Sequence, residues 1–326
     1  MAHSPLHDLW DSTRLRLLVE IERHGSVSKA ARAIGIGQPT ASQHLRLLEG
    51  AAGQRLVERN GRGSRLTEAG RVLAARASQA LATLGAAEEE LDALAGLRTG
   101  TIRLGASTAP GVYLLPDTLG CFRRDFPGVT IEVEIAASSE ILSRLLAGRI
   151  QLGLVGTAEA DERVVLEPFL EDEIVGIARP GLLPLRKGRV EAPCLGEAML
   201  LARERGSSSR SVLERELGEL GVEPAGVWEL GSSEAIKRAA KEGLGFSFLS
   251  RYAVAEEVER GELESFRVQG RPPLVRNFSV ARLAGRPLSP SERGFVATLT
   301  RCCAKNAAYA ESCVGAVTPP TRAQVR

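Results

Sequence analysis

Cysteine and histidine are scarce in this chain of 326 residues, and their positions argue against metal sites and against nucleophilic enzymes. The five cysteines share no repeated spacing, and the four histidines all lie within the first 44 residues. Neither set has the closely spaced ligand pairs of a zinc site, so we expect no metal. Because no histidine follows His44, most of the chain lacks the usual base of a nucleophilic enzyme.

Long apolar runs and enzyme motifs are also missing. No run of about 18 apolar residues occurs, and residues 1–20 alternate apolar residues with Asp and Arg, unlike a signal peptide. The sequence contains no nucleophile elbow, P-loop or dinucleotide fingerprint. We therefore expect a cytoplasmic protein that has no membrane partner, no cofactor and no enzymatic activity.

The basic residues are concentrated near the N-terminus. Residues 1–66 hold ten Lys/Arg against six Asp/Glu, whereas the remaining 260 residues hold 32 against 34. A local excess of positive charge is what contact with nucleic acid phosphates requires. The charge distribution thus directs attention to the first 66 residues.

Residues 26–48 have the pattern of two short helices joined by a tight turn. Ser26 is a favourable N-cap, the turn is Gly35-Ile36-Gly37, and Pro39 lies in the first turn of the second helix. Small and apolar residues on the inner faces allow close packing of the two helices. The pattern predicts a helix-turn-helix, although an ordinary helical hairpin with a solvated polar face has the same local propensity.

The second helix and a following hairpin carry side chains suited to DNA. Gln pairs with adenine, Arg with guanine, and Ser or Thr with phosphates or bases. Residues 54–66 predict two short strands around Asn60-Gly61-Arg62-Gly63, a basic wing that either contacts DNA or is merely solvated. The candidate DNA-binding residues are Ser26, Gln38, Pro39, Thr40, Ser42, Gln43, His44, Arg46, Arg59, Arg62 and Arg65.

A long helix, opened by Thr67 and extending to about Gly96, is predicted to follow the wing. Its apolar positions alternate spacings of four and three residues, which is a coiled-coil pattern. These positions are Leu73, Ala77, Ala80, Leu84, Ala87, Leu91 and Leu94. We expect this helix to pair with the same helix of a second copy, with packing against the chain's own body as the alternative.

From Thr101 onward, predicted strands alternate with predicted helices, the pattern of an α/β domain with a parallel sheet. Two adjacent strands are predicted near Val164–Leu170 and Glu173–Ala178, and a last helix from Ser289 to about Cys302. The final 20 or so residues, with Thr318-Pro319-Pro320-Thr321, predict a disordered tail.

Residues 15–70 resemble the N-terminal domain of LysR-type transcriptional regulators. Gly37 and Val57 depart from the family pattern, which usually has Ser and Phe there. The matching residues are Leu15, Gly25 to Ser28, Ala30, Ala31, Gln38 to Ser42, Leu45, Leu48, Glu49, Gly53, Leu56, Arg59 and Leu66 to Gly70. A second, weaker resemblance, in segments such as Leu114-Leu115-Pro116, links the α/β region to the effector-binding half of the same family.

The resemblance implies a multidomain fold: an all-α winged helix-turn-helix, a long linker helix, and an α/β effector domain of two subdomains similar to periplasmic binding proteins. We assign residues 1–66 to DNA binding, 67–96 to the linker and dimerisation helix, 97–303 to the effector domain and 304–326 to a disordered tail. Subdomain I comprises about 97–162 plus 271–303, and subdomain II about 163–270.

Small hydroxyl groups stand where predicted strands of the effector domain end. Ligands of such sheets bind there, close to helix N-termini. With Arg103, Arg205 or Arg210 nearby, hydroxyl and N–H groups suit a small anion, although each Ser or Thr is also an ordinary N-cap. The candidate effector-binding residues are Ser107, Thr108, Ser138, Thr157, Ser207 and Ser208.

The expected function is that of a sequence-specific transcriptional regulator modulated by a small molecule between the two subdomains. Its implied partners are double-stranded DNA, further copies in a homodimer or homotetramer, the effector and, if it activates transcription, RNA polymerase. The alternatives are an architectural DNA-binding protein without an effector and, with less support, a thiol redox sensor. The sensor would need two poised cysteines in subdomain II, where only Cys194 lies.

Overall fold

The computed structural model describes residues 11–60, 63–94, 99–156 and 161–314. Its N-terminal unit contains three helices and a hairpin: α1 Ser12–His24, α2 Val27–Ala33, α3 Gln38–Ala52, β1 Val57–Asn60 and β2 Gly63–Leu66. The side chains of Asp11 and Ser26 accept hydrogen bonds from the first turns of α1 and α2. The Ser26 cap begins α2 where the sequence predicts, and both caps supply an acceptor to otherwise unpaired N–H groups.

The hairpin is attached to the second helix of the helix-turn-helix. Glu49 on α3 accepts hydrogen bonds from the backbone N–H groups of Leu56 and Val57, at 2.9 and 3.2 Å. Leu56 and Leu66 complete an apolar core with α1 and α2. The wing therefore has a fixed orientation relative to α3, as a DNA-binding surface made of both requires.

The linker helix α4 spans Glu68–Leu94. The preceding residue, Thr67, caps it, since its Oγ1 accepts a hydrogen bond from the Gly70 N–H at 3.1 Å. Its first turns differ from the predicted coiled-coil pattern. Leu73 and Ala77 pack in the core of the winged helix-turn-helix, because α1 lies against this end of α4. The exposed part of the predicted stripe begins only at Ala80.

Gly70 is required where α4 passes the wing. A Cβ atom at this position would lie 2.1 Å from the carbonyl oxygen of Leu56. We expect Gly70→Ala to destabilise the winged helix-turn-helix by about 3 kcal/mol, since neither backbone can move freely. The matched control is Gly85→Ala in the same helix, where a Cβ meets nothing within 4 Å and should be stabilising by about 0.5 kcal/mol. Amide hydrogen exchange in α1–α3 measures both, and equal protection in the two variants would contradict the prediction.

The next segment builds a sheet of parallel strands. After the strands β3 Thr99–Ser107, β4 Gly128–Ala136 and β5 Leu152–Val155 come helices or turns, including α5 Leu115–Asp125 and α6 Ser138–Leu146. Strand β3 pairs in parallel with both β4 and β5. The sequence predicts this arrangement, and it brings the C-terminal ends of the three strands to one edge.

The remaining elements build a second subdomain and return to the first. In chain order they are β6 Val164–Ala178, β7 Arg189–Val190, α7 Ala192–Leu195, β8 Met199–Ala202, α8 Ser208–Leu220, β9 Gly226–Glu229, α9 Ser233–Lys241, β10 Ser247–Ser250, α10 Arg251–Glu259, β11 Glu264–Val268, β12 Leu274–Leu283 and α11 Pro290–Val314. Strands β8 and β9 form a separate parallel pair.

Two long antiparallel strands, β6 and β12, cross between the subdomains. They pair from Val164–Leu283 at one end to Ile174–Leu274 at the other, with one irregularity in register. The prediction of two separate strands within β6 was wrong: the strand is continuous, because the acidic residues at its centre are paired, Asp172 with the buried Arg276 and Glu173 with the half-buried Arg251 and Arg267. The sheet order is β4-β3-β5-β12-β6-β11-β7, with β10 also on β6. The expected fold class is thereby confirmed, with a mixed sheet in place of a purely parallel one.

The last helix is longer than the sequence predicts. Residues 304–314, which we assigned to a disordered tail, continue α11, and residues 315–326 lie outside the described part of the chain. Four alanines among residues 304–310 favour continuation of the helix. None of the helices formed by the described residues has the length and apolar character needed to cross a membrane.

Polar contacts hold the winged helix-turn-helix against subdomain I. The guanidinium of Arg23 on α1 donates to Glu132 on β4 at 2.7 Å, and Arg149, in the turn after α6, lies 3.3 Å from Glu22. On the linker helix, Ser78 donates to the carbonyl of Gly148. The elements contacted by the DNA-binding unit are thus β4 and the end of α6.

Candidate functional site

Helix α3 presents a polar face to solvent. Its exposed side chains follow helical spacing, because Ala41 and Leu48 on the opposite face are buried in the core. Five of the candidate DNA-binding residues lie on this face: Gln38, Pro39, Thr40, Gln43 and Arg46. An amide, a hydroxyl and a guanidinium on one helix face are the groups that can contact base edges in a major groove.

Three other candidates on the helix-turn-helix are less accessible. Ser26 uses its hydroxyl as the cap of α2, accepting from the Lys29 N–H at 3.4 Å. Ser42 and His44 are half-buried on α3, and Nδ1 of His44 is a buried atom without a hydrogen-bond partner. Because these three side chains are less exposed than those on the polar face of α3, their part in DNA binding stays a prediction.

Of the three candidate DNA-binding arginines on the wing, the structure describes the side chain of one. Arg65 on β2 is exposed and pairs with Glu58 across the hairpin, with an N–O distance of 2.7 Å. The side chain of Arg59 and the whole of Arg62 lie outside the described residues. An exposed ion pair of this kind contributes little to stability, so Arg65 is free to exchange Glu58 for a phosphate.

The candidate effector residues meet around one cavity. Ser107 ends β3 and Thr108 follows it, Ser138 begins α6, and Ser207 precedes α8, which begins at Ser208, so both subdomains contribute. All but Thr108 are buried, and the cavity volume is about 20 Å³. Thr157 lies outside the described residues. Five of the six hydroxyl residues that the sequence analysis selected at strand ends therefore lie around the same cavity.

Two buried arginines complete the cavity, and sequence reasoning missed both. Arg203 follows β8, and its Nη2 donates to the Thr108 hydroxyl at 3.0 Å. Arg276 lies on β12, and its Nη1 donates to the Ser208 hydroxyl at 2.6 Å. Each side chain is 6% exposed or less. The cavity is thus lined by hydroxyl groups that are themselves held by guanidinium groups.

The arginines expected near the site have other roles. Arg103 lies near Glu132 in the first half of β3, Arg205 is exposed, and Arg210 pairs with acidic residues on α8 and β9. A signal for Arg276 was present in the sequence, since a charged residue interrupts an apolar strand there. Its partner could not be inferred from position alone.

Arg276 is held by a carboxylate from the other crossing strand. Its Nε and Nη2 donate to Oδ2 of Asp172 on β6, at 2.8 and 2.7 Å, and Oδ1 of Asp172 accepts from Ser250 at 2.8 Å. Burial raises the pKa of Asp172, while the charge of Arg276 and the hydrogen bond from Ser250 act in the opposite direction. The two strands that connect the subdomains therefore share an ion pair at the cavity.

Two helices begin at the cavity without a capping side chain. Neither Ala137 before α6 nor Ser207 before α8 makes a side-chain cap bond, and the Ser207 hydroxyl instead contacts Ser209 at 3.0 Å. Their first N–H groups and the positive ends of their dipoles favour an anion. The hydroxyl groups, the guanidinium groups and the helix N-termini around the cavity therefore all favour a negatively charged ligand.

A second polar bridge joins the subdomains next to the cavity. Tyr113, in the short π-helix Pro110–Leu114 after β3, donates to Glu234 on α9 at 2.7 Å, and Lys237 lies 2.7 Å from the same carboxylate. Burial, and then the hydrogen bond to Glu234, raises the pKa of Tyr113, so the phenol stays protonated and donating. Arg203 also donates to Ser233 at the start of α9, at 2.8 Å. The cavity and this bridge thus share one helix.

Both halves of the chain match models of known families. Residues 12–71 match the bacterial regulatory helix-turn-helix protein, lysR family, and residues 95–304 match the LysR substrate binding domain. The transcriptional regulator CbbR of Rhodospirillum rubrum is 33% identical over 298 residues, which cover 91% of this chain and 97% of CbbR.

Solved structures show the same fold. A full-length OxyR variant from Pseudomonas aeruginosa covers 97% of this chain and 99% of its own, with a TM-score of 0.73 at 22% identity. The regulatory domain of Synechocystis CcmR, in complex with 2-PG, is 30% identical and covers 62% of this chain and 97% of its own, with a TM-score of 0.58. The helix-turn-helix, the two-subdomain domain and these matches agree, and the chain belongs to the LysR family of DNA-binding, effector-modulated transcriptional regulators.

Proposed function

We propose that the effector of this regulator is a small anion that binds among Ser107, Thr108, Ser138, Ser207 and Ser208. The observation that carries the proposal is the meeting of these hydroxyls with two buried guanidiniums and two uncapped helix N-termini. Each element alone has a structural explanation. Together they give many donors and positive potential, which suit a phosphate or carboxylate group.

The similarity to CcmR supports a phosphate-bearing ligand. That protein was solved with 2-PG bound to its regulatory domain. At 30% identity over most of the effector domain, the same compound is a reasonable first probe for this chain. The wider proposal concerns the anionic class, since the identity of the metabolite depends on side chains that differ between the two proteins.

Two elements at the cavity also contact the winged helix-turn-helix. Strand β4 leads into Ser138 and carries Glu132, which holds Arg23, while α6 begins at Ser138 and ends before Arg149, which pairs with Glu22. An anion that shifts α6 or β4 would therefore change the position of α1 and with it the recognition helix. This coupling needs only a difference in affinity between two arrangements of the subdomains.

The proposal is tested by calorimetry and footprinting. We expect inorganic phosphate and 2-PG to bind the purified full chain, and the protein to protect discrete sites in its own genome whose pattern changes with the ligand. Binding to DNA that is uniform and disappears at modest salt would instead support an architectural protein. Absence of heat with either anion would contradict the anionic class.

The contribution of base contacts by α3 and that of phosphate contacts by the wing can be measured separately. At an operator found by footprinting, Gln43→Ala should lower affinity by about ten- to a hundred-fold and leave non-specific binding unchanged, because a base contact is lost. Arg65→Gln should weaken binding to all sequences and reduce the slope of log K against log salt by about one. Fluorescence anisotropy over a salt series measures both, and equal losses on operator and random DNA for Gln43→Ala would show that Gln43 does not read a base.

The proposal includes no enzymatic step. The described residues that line the cavity are mainly hydroxyls and paired arginines, so binding is the chemistry they support. A regulator of chromosomal genes acts in the cytoplasm, and we propose that location. If it activates transcription, RNA polymerase is a further partner.

A further inference from the structure

One carboxylate already binds an arginine of the effector cavity. Glu204, in the loop after β8, lines the cavity beside Ser207 and Ser208. Its two oxygens accept from Nε and Nη2 of Arg203, at 2.8 and 2.7 Å. This is the paired geometry in which a guanidinium binds a free carboxylate or phosphate.

The remaining contacts of Arg203 hold it in place. Its Nη1 donates to Ser233 on α9, and its Nη2 also donates to Thr108 after β3. The side chain of Arg203 is 6% exposed, whereas that of Glu204 is 28% exposed. Of the two partners, Glu204 is therefore the one with space to move.

The cavity is too small for an organic anion unless a side chain moves. A volume of about 20 Å³ is enough for about one water molecule. Glu204 precedes Arg205 and Gly206, both exposed, and Gly206 adopts a left-handed backbone conformation with φ of 85°. A loop of this kind can rotate without disturbing a core.

The second arginine of the cavity provides a contrast. The carboxylate that pairs with Arg276 is Asp172, which is fully buried on the long strand β6. Asp172 is also fixed by Ser250, so it cannot leave without opening the sheet. The two ion pairs at the cavity thus differ: both partners of one are fully buried, whereas the carboxylate of the other is partly exposed.

We propose that Glu204 is an internal competitor of the effector: its carboxylate occupies the anion-binding edge of Arg203, and the effector binds by displacing it. The inference rests on the proposed anion site and adds the residue that sets how strongly an anion must bind in order to occupy it. Burial alone would raise the pKa of Glu204, but hydrogen bonds from Arg203 and its own backbone lower it overall, so the competing group is charged at neutral pH.

Competition by a tethered carboxylate determines which anions bind. A monocarboxylate that displaces Glu204 replaces one carboxylate–guanidinium pair with an equivalent one, so the exchange adds little binding free energy. A phosphate group carries more charge and a third oxygen, so it can satisfy Arg203 and the Ser207–Ser208 region together. Glu204 lowers the apparent affinity of both classes by the same factor, so only an anion with strong contacts of its own, such as a phosphate group, should bind the wild type measurably.

The test compares Glu204→Gln with the wild-type full chain, using inorganic phosphate, acetate and 2-PG in isothermal titration calorimetry. If the displaced form of Glu204 has a population of about 10%, the wild-type affinity is reduced about ten-fold, and Glu204→Gln recovers that factor. The same factor should appear for phosphate, 2-PG and acetate, because the population of the displaced form of Glu204 belongs to the protein and not to the ligand. The matched control is Glu214→Gln, since Glu214 pairs with Arg210 outside the cavity and is 61% exposed.

Each outcome distinguishes the two proposals. Tighter binding of all three anions by Glu204→Gln, with Glu214→Gln unchanged, supports competition. Equal or weaker binding by Glu204→Gln, while the wild type binds phosphate, overturns it and makes Glu204 a residue that positions Arg203. If neither protein binds any anion, the anion site itself is wrong. Glu204→Ala, which removes the side chain, repeats the comparison should the glutamine variant unfold.

Discussion

Replacing Leu84 with Asp is expected to abolish tight DNA binding without touching the DNA-binding unit. Leu84 and Leu91 on α4 are 59% and 68% exposed, and with the exposed residues Ala80 and Ala87 they form a stripe at spacings of four, three and four. Such a stripe is the contact surface of a two-stranded coiled coil. A charge at its centre should separate the two copies.

The loss follows from the geometry of paired half-sites. A dimer presents two recognition helices to one operator, and the second helix binds at a high effective concentration. We expect the monomeric Leu84→Asp protein to lose about a thousand-fold or more in operator affinity, with only small effects on the folding of the winged helix-turn-helix. Analytical ultracentrifugation and footprinting measure the two effects.

Val72 supplies the control. It lies on the same helix with the same 59% exposure, but about a quarter turn away from the stripe. Val72→Asp should remain dimeric and bind the operator normally. A dimeric Leu84→Asp protein would mean that copies associate through another surface.

Replacing Arg276 with Met is expected to remove anion binding and to destabilise the effector domain. Asp172 is fully buried, and without Arg276 it would keep the hydrogen bond from Ser250 and the more distant charge of Arg251. Breaking a buried ion pair from one side costs about 3–5 kcal/mol, because the remaining charge is uncompensated. Thermal unfolding and phosphate calorimetry measure the two losses.

The destabilisation should depend on pH. Burial raises the pKa of Asp172, and Arg276 is the first of the groups that counteract it, so the pKa of Asp172 rises further in Arg276→Met. A carboxyl with a raised pKa in the folded state binds more protons there than in the unfolded state. Stability of the variant then falls as pH rises above the unfolded pKa, and its deficit should be smaller at about pH 5 than at about pH 8.

The double variant Asp172→Asn, Arg276→Met separates the two effects. It removes both charges, so most of the stability should return, whereas phosphate binding should stay lost. Recovery of phosphate binding in the double variant would show that Arg276 acts only as the partner of Asp172 and does not bind the effector.

Local sequence patterns predicted the DNA-binding unit well. Caps such as Ser26, the glycine turn and the polar positions of α3 are properties of residues three or four apart in the chain, and the helix reproduces that spacing directly. The same is true of the hydroxyls at strand ends. Ser107 and Ser138 could be grouped from their places in the chain alone, because parallel strands end at one edge.

The linker helix shows where such patterns stop being sufficient. Its stripe of apolar residues is continuous in sequence, yet Leu73 and Ala77 pack inside the winged helix-turn-helix while Leu84 and Leu91 remain exposed. Periodicity indicates that a face is apolar. It does not say which neighbour covers each part of that face.

The sequence alone was enough to predict the family, the order of the domains, the helix with the exposed polar side chains and the hydroxyls that surround the cavity. The tertiary structure decided the rest of that cavity: Arg276 faces Asp172, a residue 104 positions away, and Arg203 reaches both Thr108 and Glu204. The reason is physical, since a helix cap or strand alternation is set by near neighbours, whereas the partner of a buried guanidinium is set by which distant strands pair. Such a long-range pair holds the guanidinium of Arg276 at the cavity.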